Sequence, residues 1–491
     1  MKSTILSILI PLAGLGSVIG QTNGLTLETC LQIARKEAPA SLVSASIAEA
    51  SELEYQATRA AILPQISLNA NIPGFSRTLT DIIQDDGSLS FRSQNQSFSN
   101  VGLRLSQAIP ATGGRIQVFS GLQLINTFGE DSPNTSTYLS NPVNIFLTQP
   151  LFQINNFKWD QRQAKARYDL SQTDYVWELE RNALSTSRLF FDLLEAQINL
   201  KRAQQNFANN DTILTISRGR FSVGKIAENE LLQSELSTMR AQVSVEQAQA
   251  DYNRSMAALG TALGNQNLNP AFLEIPEILP AKIPSSDLAV SRARQYARLI
   301  QAQRLNELQN ERAVASAQSD ARPSADLQAS FGLNQTGTTF EQAYLNPVDR
   351  ETFSIGLNIP ITQWGAGKKQ VQAALARQQA NFTSNELDEQ NFLNEVYYQV
   401  MDLERLVKQL EIAAKSDTIA QKRYDITKNR YLIGKVSIQD LFIAQNEQDQ
   451  AQQQYLATLR SWWSAWITLR MNTLYDFEED RPLVVDMNAE Q

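Results

Sequence analysis

The sequence predicts a mixed α and β chain built by internal duplication, each half carrying a strand region followed by a long antiparallel helical hairpin. Three observations predict it. Residues 218–225 read RGRFSVGK and residues 428–435 read KNRYLIGK, 210 positions apart, and the same offset relates Pro150 to Pro360, Phe221 to Tyr431, Gly224 to Gly434 and Leu231 to Leu441. A constant offset over such a distance is the mark of a repeat. Leu393, Val396, Val400, Leu403, Val407, Leu410 and Ala414 step by three and four, a heptad seam, and subtracting the offset lands on Ala183, Thr186, Phe190, Leu193, Gln197, Leu200 and Gln204, a weaker copy. Short runs elsewhere alternate with the period of strands: Ile66, Leu68, Ala70 and Ile72 against Gln65, Ser67, Asn69 and Asn71, and Phe353, Ile355, Leu357 and Ile359 against Ser354, Gly356 and Asn358.

Taken in chain order, residues 1–20 carry Lys2, an apolar stretch from Ile5 to Ile19 and small Gly20, the pattern of a secretory signal peptide cleaved after Gly20. Residues 21–62 read as short helices that Pro39 breaks or kinks. Cys30, behind Glu28 and Thr29 inside that helical pattern, reads as a packing residue rather than a lipidated one. Residues 63–150 form the first strand region. Residues 151–265 form the first helical hairpin; nothing breaks the helix from 158 to 217, which at ~1.5 Å per residue is on the order of 90 Å. A linker at 266–285 holds Pro270, Pro276, Pro280 and Pro284. The second half repeats the order: a short helix at 286–321, strands at 322–361, a hairpin at 362–475, then a tail at 476–491. Pro64 and Pro323 are 259 apart, so the first half holds 49 more residues than the second, all between Pro64 and Pro150.

Composition narrows the function. Among 491 residues there is no His and one Cys, which removes histidine bases, an intrachain disulfide and the usual zinc sites, and no metal or cofactor is expected. The net charge of −8 comes without a basic tract, so no nucleic-acid partner is expected. No nucleophile stands beside a base and no phosphate-binding loop is present, so no catalytic residue is expected and ATP hydrolysis would fall to a partner. After Gly20 no window approaches 18 uninterrupted apolar residues, which leaves a membrane β-barrel or a soluble sandwich for the alternating strands. Export and a polar face of Gln, Asn, Ser and Gly favour the barrel.

The early ARKEAPA helix, AAILPQISL entering a strand, QPLFQINNFK leaving one, the paired long helices and RYLIGKVSIQDLFIAQNE after the second turn together resemble the TolC family of outer membrane efflux and secretion channels. The resemblance covers nearly all of the sequence after the leader, and it rests on the order and duplication of these segments rather than on one motif. It implies a trimeric transmembrane β-barrel continuous with a long periplasmic α-helical barrel, in the outer membrane of a Gram-negative bacterium. Implied partners are two further copies (a homotrimer), outer membrane lipid, a periplasmic adaptor protein and an inner membrane transporter of RND or ABC type. The turns at 218–232 and 428–442 then fall at the periplasmic tip, and the resemblance assigns adaptor docking to Arg218, Phe221, Gly224, Lys225, Leu231, Tyr431, Gly434, Lys435 and Leu441. Asp440 matches the first Asp of the family's constriction pattern, with a solvent-facing first-turn carboxylate as the other reading. The pattern's second Asp is Ile443 here, so only one acidic ring is implied. The family carries two strands per half and twelve per trimer; this first half reads as four, giving either an eighteen-stranded barrel or a plug-like or surface hairpin over 98–128. Trp364 suits a lipid-headgroup anchor, although its repeat equivalent is Ile154, and Trp462, Trp463 and Trp466 read as helix packing. A competing reading is an exported structural or interaction protein with a helical rod and a soluble β domain.

Overall fold

The computed structural model describes residues 25–84, 86–128, 133–265, 268, 272–276 and 283–483. The expected leader, linker residues Pro270 and Pro280, and the tail beyond 483 lie outside them. Along the chain run helices α1 (Leu27–Lys36) and α2 (Pro39–Ala60), strands β1 (Gln65–Ile83), β2 (Leu89–Ile109), β3 (Gly114–Phe128) and β4 (Thr135–Leu151), then α3 (Asn156–Ser222) and α4 (Glu228–Ala262). The second half gives α5 (Ser286–Tyr296), α6 (Arg298–Asp320), β5 (Ser324–Gly337), β6 (Val348–Asn358), α7 (Ala366–Leu432) and α8 (Ile438–Thr473). Both halves break their short helix: after Glu37 and Ala38 in the first, with Pro39 opening α2, and at Ala297 in the second. Ala38 and Ala297 stand 259 apart and are both buried, so the upstream offset is structural and the second break needs no proline.

The chain divides into two compact units. One comprises the described residues of 46–175 and 294–394 and holds the strands in a single antiparallel sheet of order β1-β2-β3-β4-β5-β6. The segment 98–128 lies within this sheet: β2 pairs with β3 from Asn95↔Phe128 to Ile109↔Gly114, and β3 with β4 from Arg115↔Thr148 to Thr127↔Thr135. Because side chains alternate with period two, this register sorts them into rows. Ile66, Leu105, Val118, Ile145 and Phe331 form one, and Ile116, Leu147, Ala329 and Phe353 the next. The opposite face carries Ser67, Arg104, Phe119, Asn144 and Gly332 in one row and Ser106, Gln117, Phe146, Ser330 and Thr352 in another. On the apolar face of β5 the positions run from Ala325 to Leu333, about 27 Å along the strand and on the order of 20–25 Å once tilted, the height of a lipid-facing band.

The second unit, the described residues of 1–45, 176–293 and 395–491, is helical apart from a short bridge and a two-residue hairpin. Its core realises the heptad seam in both repeats: Ala183, Thr186, Phe190 and Leu193 are buried, as are Val396, Val400 and Leu403. Gln197 breaks the apolar pattern for a reason, since its side-chain oxygen accepts the Leu273 N–H at 3.0 Å. Helices α3 and α7 each run 67 residues. Trp462, Trp463 and Trp466 are buried on one face of α8, where Trp462 and Trp466 stack with ring centroids 6.2 Å apart.

Within this unit four charges are drawn together. Glu180 on α3 accepts from Arg35 Nη2 at 3.0 Å and from Arg470 Nε at 3.4 Å, and Arg470 Nη1 donates to Asp476 at 2.6 Å. Asp476 also accepts the backbone N–H groups of Glu478 and Glu479. These contacts tie α1 and the segment after α8 to the middle of α3.

Candidate functional site

The duplicated turns close in the same way. After α3 the Gly224 N–H donates to Phe221 O at 2.9 Å and the Lys225 N–H to Arg220 O at 2.8 Å; after α7 the Gly434 N–H donates to Tyr431 O at 2.8 Å and the Lys435 N–H to Arg430 O at 2.9 Å. This pair of bonds is the Schellman closure, which requires left-handed backbone at the residue after the cap, and Gly224 and Gly434 supply it with φ of 71° and 78°. Arg220 brings the turns side by side: its Nη2 reaches Leu432 O at 3.5 Å and its guanidinium lies 5.5 Å from the Tyr431 ring centre.

Side chains differ between the copies. Tyr431 and Leu441 are 5% and 2% exposed, packed in one cluster with Ile213, Tyr424, Ile438 and Ala444. Phe221 is 41% exposed, Leu231 is half-buried, and Lys225 and Lys435 are exposed. Arg218 pairs with Glu235 at 3.2 Å. The second turn thus has a packed base, and the first presents its aromatic outward.

Asp440 sits at the third position of α8 in a capping box. Its N–H donates to Ser437 Oγ at 3.2 Å, and its carboxylate accepts from Ser437 N at 3.1 Å and Ser437 Oγ at 2.7 Å. The Ser437 hydroxyl and N–H hold the carboxyl below the usual aspartate range. Ser437 went unnoticed in the sequence although the Ser-x-x-Asp spacing before an apolar run was there to be read. Arg220 repeats as Arg430 in the matched turns, but its bridging contact had no local signal, since its partners lie in the other repeat. Nor did the pairing of Arg202 with Asp449 at 3.0 Å, where burial lowers the Arg202 pKa and raises that of Asp449 against their mutual attraction. Among the described residues no group of acidic or thiol side chains is placed to hold a metal.

In the other unit Phe152 and Trp364 follow β4 and β6 with φ of 63° and 50°, and Trp364 is 96% exposed. No helix among the described residues is long and apolar enough to cross a membrane. An all-antiparallel sheet with apolar rows crossing one face, in a chain whose duplicated long helices end in paired turns, defines a narrow class.

The family profile of outer membrane efflux proteins matches residues 30–265 and 289–472. This chain belongs to that family. Solved structures agree in fold. The CmeC outer membrane channel of Campylobacter jejuni is similar with a TM-score of 0.67 at 16% identity, over 94% of this chain and 88% of that one. A membrane protein from Pseudomonas aeruginosa is similar with 0.66 at 15%, over 94% and 92%. The open state of the Neisseria gonorrhoeae MtrE outer membrane channel gives 0.61 at 16%, over 91% and 88%. No curated protein matches the chain by sequence. The chain is an outer membrane efflux channel that extends into the periplasm, and it is not an enzyme. Its fold class is mixed α and β, an antiparallel sheet with long paired helices built from a duplicated protomer, the fold of these outer membrane channels.

Proposed function

We propose that this channel is the passive exit duct of a tripartite efflux pump or type I secretion system, recruited through its paired turns by a periplasmic adaptor that links it to an RND-type or ABC-type inner membrane transporter. The observation that carries the reading is the side-by-side placement of two identically closed turns, joined by Arg220 and each offering an exposed lysine. Three copies give six similar edges, a surface suited to a repeating helical partner. Phe221, Arg218 and the half-buried Leu231 form the docking edge of the first turn, and Tyr431 and Leu441 hold the second turn in position from below.

Assembly into a trimer is supported by unpartnered seams at helical spacing. Ile412, Ile419 and Ile426 recur every seven residues on α7, with Ile433 next in the series just past its end, and all are exposed, as are Leu232, Leu236, Met239 and Val243 on α4. Apolar stripes with this period pack against another helix, and neighbouring copies supply it. Asp440 from three copies forms the acidic ring of the constriction, its carboxylate oriented by Ser437.

The test is charge reversal at both exposed lysines, Lys225→Glu with Lys435→Glu, and separately Gly434→Pro, which removes the N–H given to Tyr431 O. Both variants are expected to remain trimeric in the outer membrane while crosslinking to the adaptor and export are lost. Undiminished crosslinking and export in both would overturn the docking role.

A further inference from the structure

We infer that all six strands are barrel wall, so that three copies close an eighteen-stranded barrel, wider at its outer end than the twelve-stranded barrel that four strands per copy would give. The inference rests on the channel reading above and concerns the segment 98–128, for which a plug or surface hairpin is the alternative.

Three observations carry it. The β2–β3 pair is bonded on both outer flanks, to β1 over Gln65↔Ser106 through Ile83↔Leu89 and to β4 over Arg115↔Thr148 through Thr127↔Thr135. Withdrawing these strands into a plug would orphan β1, which has no other ladder in the sheet order.

Apolar rows also run through them, with Leu103 facing Ser120 between two of the rows. Leu105 and Val118 stand between Ile66 on β1 and Ile145 on β4, and Val101 with Leu122 continues the row from Ala70. A hairpin in the aqueous lumen would have no reason to keep its apolar side chains in register with those of the flanking strands. Lipid contact requires it.

On the opposite face, ring and glycine are matched. A Cβ at Gly102 would lie 2.6 Å from the Phe119 ring and one at Gly121 would lie 2.5 Å from it, so both positions are glycine to let the ring lie flat against β2 and β3, with the Arg104 guanidinium 6.0 Å from its centre. A flat ring covers strand backbone and intrudes little on the lumen, as aromatic cover of strand glycines does elsewhere.

Closure follows from strand parity. With an even number of antiparallel strands, β6 of one copy runs antiparallel to β1 of the next, and every residue of β6 is exposed in the single chain. At a spacing of ~4.8 Å and a tilt of ~40°, eighteen strands give a backbone diameter of about 36 Å and twelve give about 24 Å. Once inward side chains are allowed for, the wider barrel leaves roughly 25 Å of lumen, so the outer end passes bulky cargo and selection by size falls to the tip.

Single cysteines labelled with a fluorophore, in trimers reconstituted into vesicles of phosphatidylcholine with a nitroxide-bearing acyl chain, test this. The native Cys30 stays silent, being fully buried with its thiol pushed up to about 12 by burial. Leu103→Cys and Val118→Cys are expected to be quenched as strongly as Leu68→Cys and Ile355→Cys, within about twofold, and Gln117→Cys at least threefold less. Quenching at 68 and 355 without quenching at 103 and 118 would overturn the eighteen-stranded wall and leave the channel intact. Quenching at none of the four, or failure to recover a trimer from the membrane, would remove the channel reading itself and this inference with it. Counting strands in an image of the same trimers gives eighteen on this account and twelve on the alternative.

Discussion

Replacing Arg470 with methionine strips the buried charge cluster of its central cation. Glu180 and Arg470 side chains are only 4% and 12% exposed, and Asp476 is 10% exposed. Removing one partner of such a pair costs about 3–5 kcal/mol, because the remaining charge is left buried and unpaired. Arg35 still reaches Glu180, and the Glu478 and Glu479 N–H groups still reach Asp476, so the lower end, about 3 kcal/mol, is expected. Tryptophan emission during guanidinium unfolding of the detergent-solubilised trimer reads the loss locally, because Trp466 lies 6.4 Å from Phe477, beside the cluster. A Glu180→Leu partner variant completes a double-mutant cycle, in which the double variant should be more stable than additivity predicts by about 1–3 kcal/mol. The pH dependence carries its own sign. Burial opposes the Asp476 charge, but Arg470 and the two N–H groups together hold its carboxyl below the usual range. A carboxyl lowered by folding contributes fully above its unfolded value near ~3.9 and loses that contribution as pH falls through the folded value. Parent stability should thus hold from neutrality to about pH 4 and decline below it; without Arg470 the folded carboxyl is less depressed, so less stability is left to lose and the acid decline should be smaller. A cost under about 1 kcal/mol, or strict additivity in the cycle, would refute the reasoning.

Three further outcomes are expected. Asp440→Asn should lower cation preference in reversal potentials across a planar bilayer, most clearly at low salt, where screening is weak; unchanged potentials would confine Asp440 to its capping box. Gly434→Ala, with φ of 78° and Arg220 Nη2 at 4.0 Å the nearest group to the added methyl, should be destabilised by about 1–2 kcal/mol through the left-handed backbone alone, measured as a lower denaturation midpoint. Trp364→Ser should remove a component of emission that brominated lipid quenches, since this exposed side chain follows β6; equal quenching in parent and variant would place Trp364 away from lipid.

The duplication and its helices were legible because periodicity was strong: the seam from Leu393 to Leu403 is buried where it was expected to be, and its weaker copy from Ala183 to Leu193 is buried too, but further along α7 burial shifts by one residue, to Leu406 and Ala413 in place of Val407 and Ala414. The break at Ala297 was not legible, since no proline or glycine marks it as Pro39 marks the first. Local pattern found β2 and β3 but left their place open; only register, a long-range property, joins Leu105 and Val118 to the same row as Ile66 and Ile145. The turns were found through Gly224 and Gly434, whereas the partners of Arg220, which matches Arg430 in the repeat but bridges the two turns, had no sequence signal. The Glu180–Arg470 cluster was invisible for the same reason, its members being 290 positions apart.

The most direct test of the account is the size and location of the intact protein. Separation of outer and inner membranes, followed by extraction in mild detergent and a mass measurement corrected for bound detergent, should find the protein in the outer membrane fraction with the mass of three chains. A single chain released into buffer without detergent would contradict the outer membrane channel.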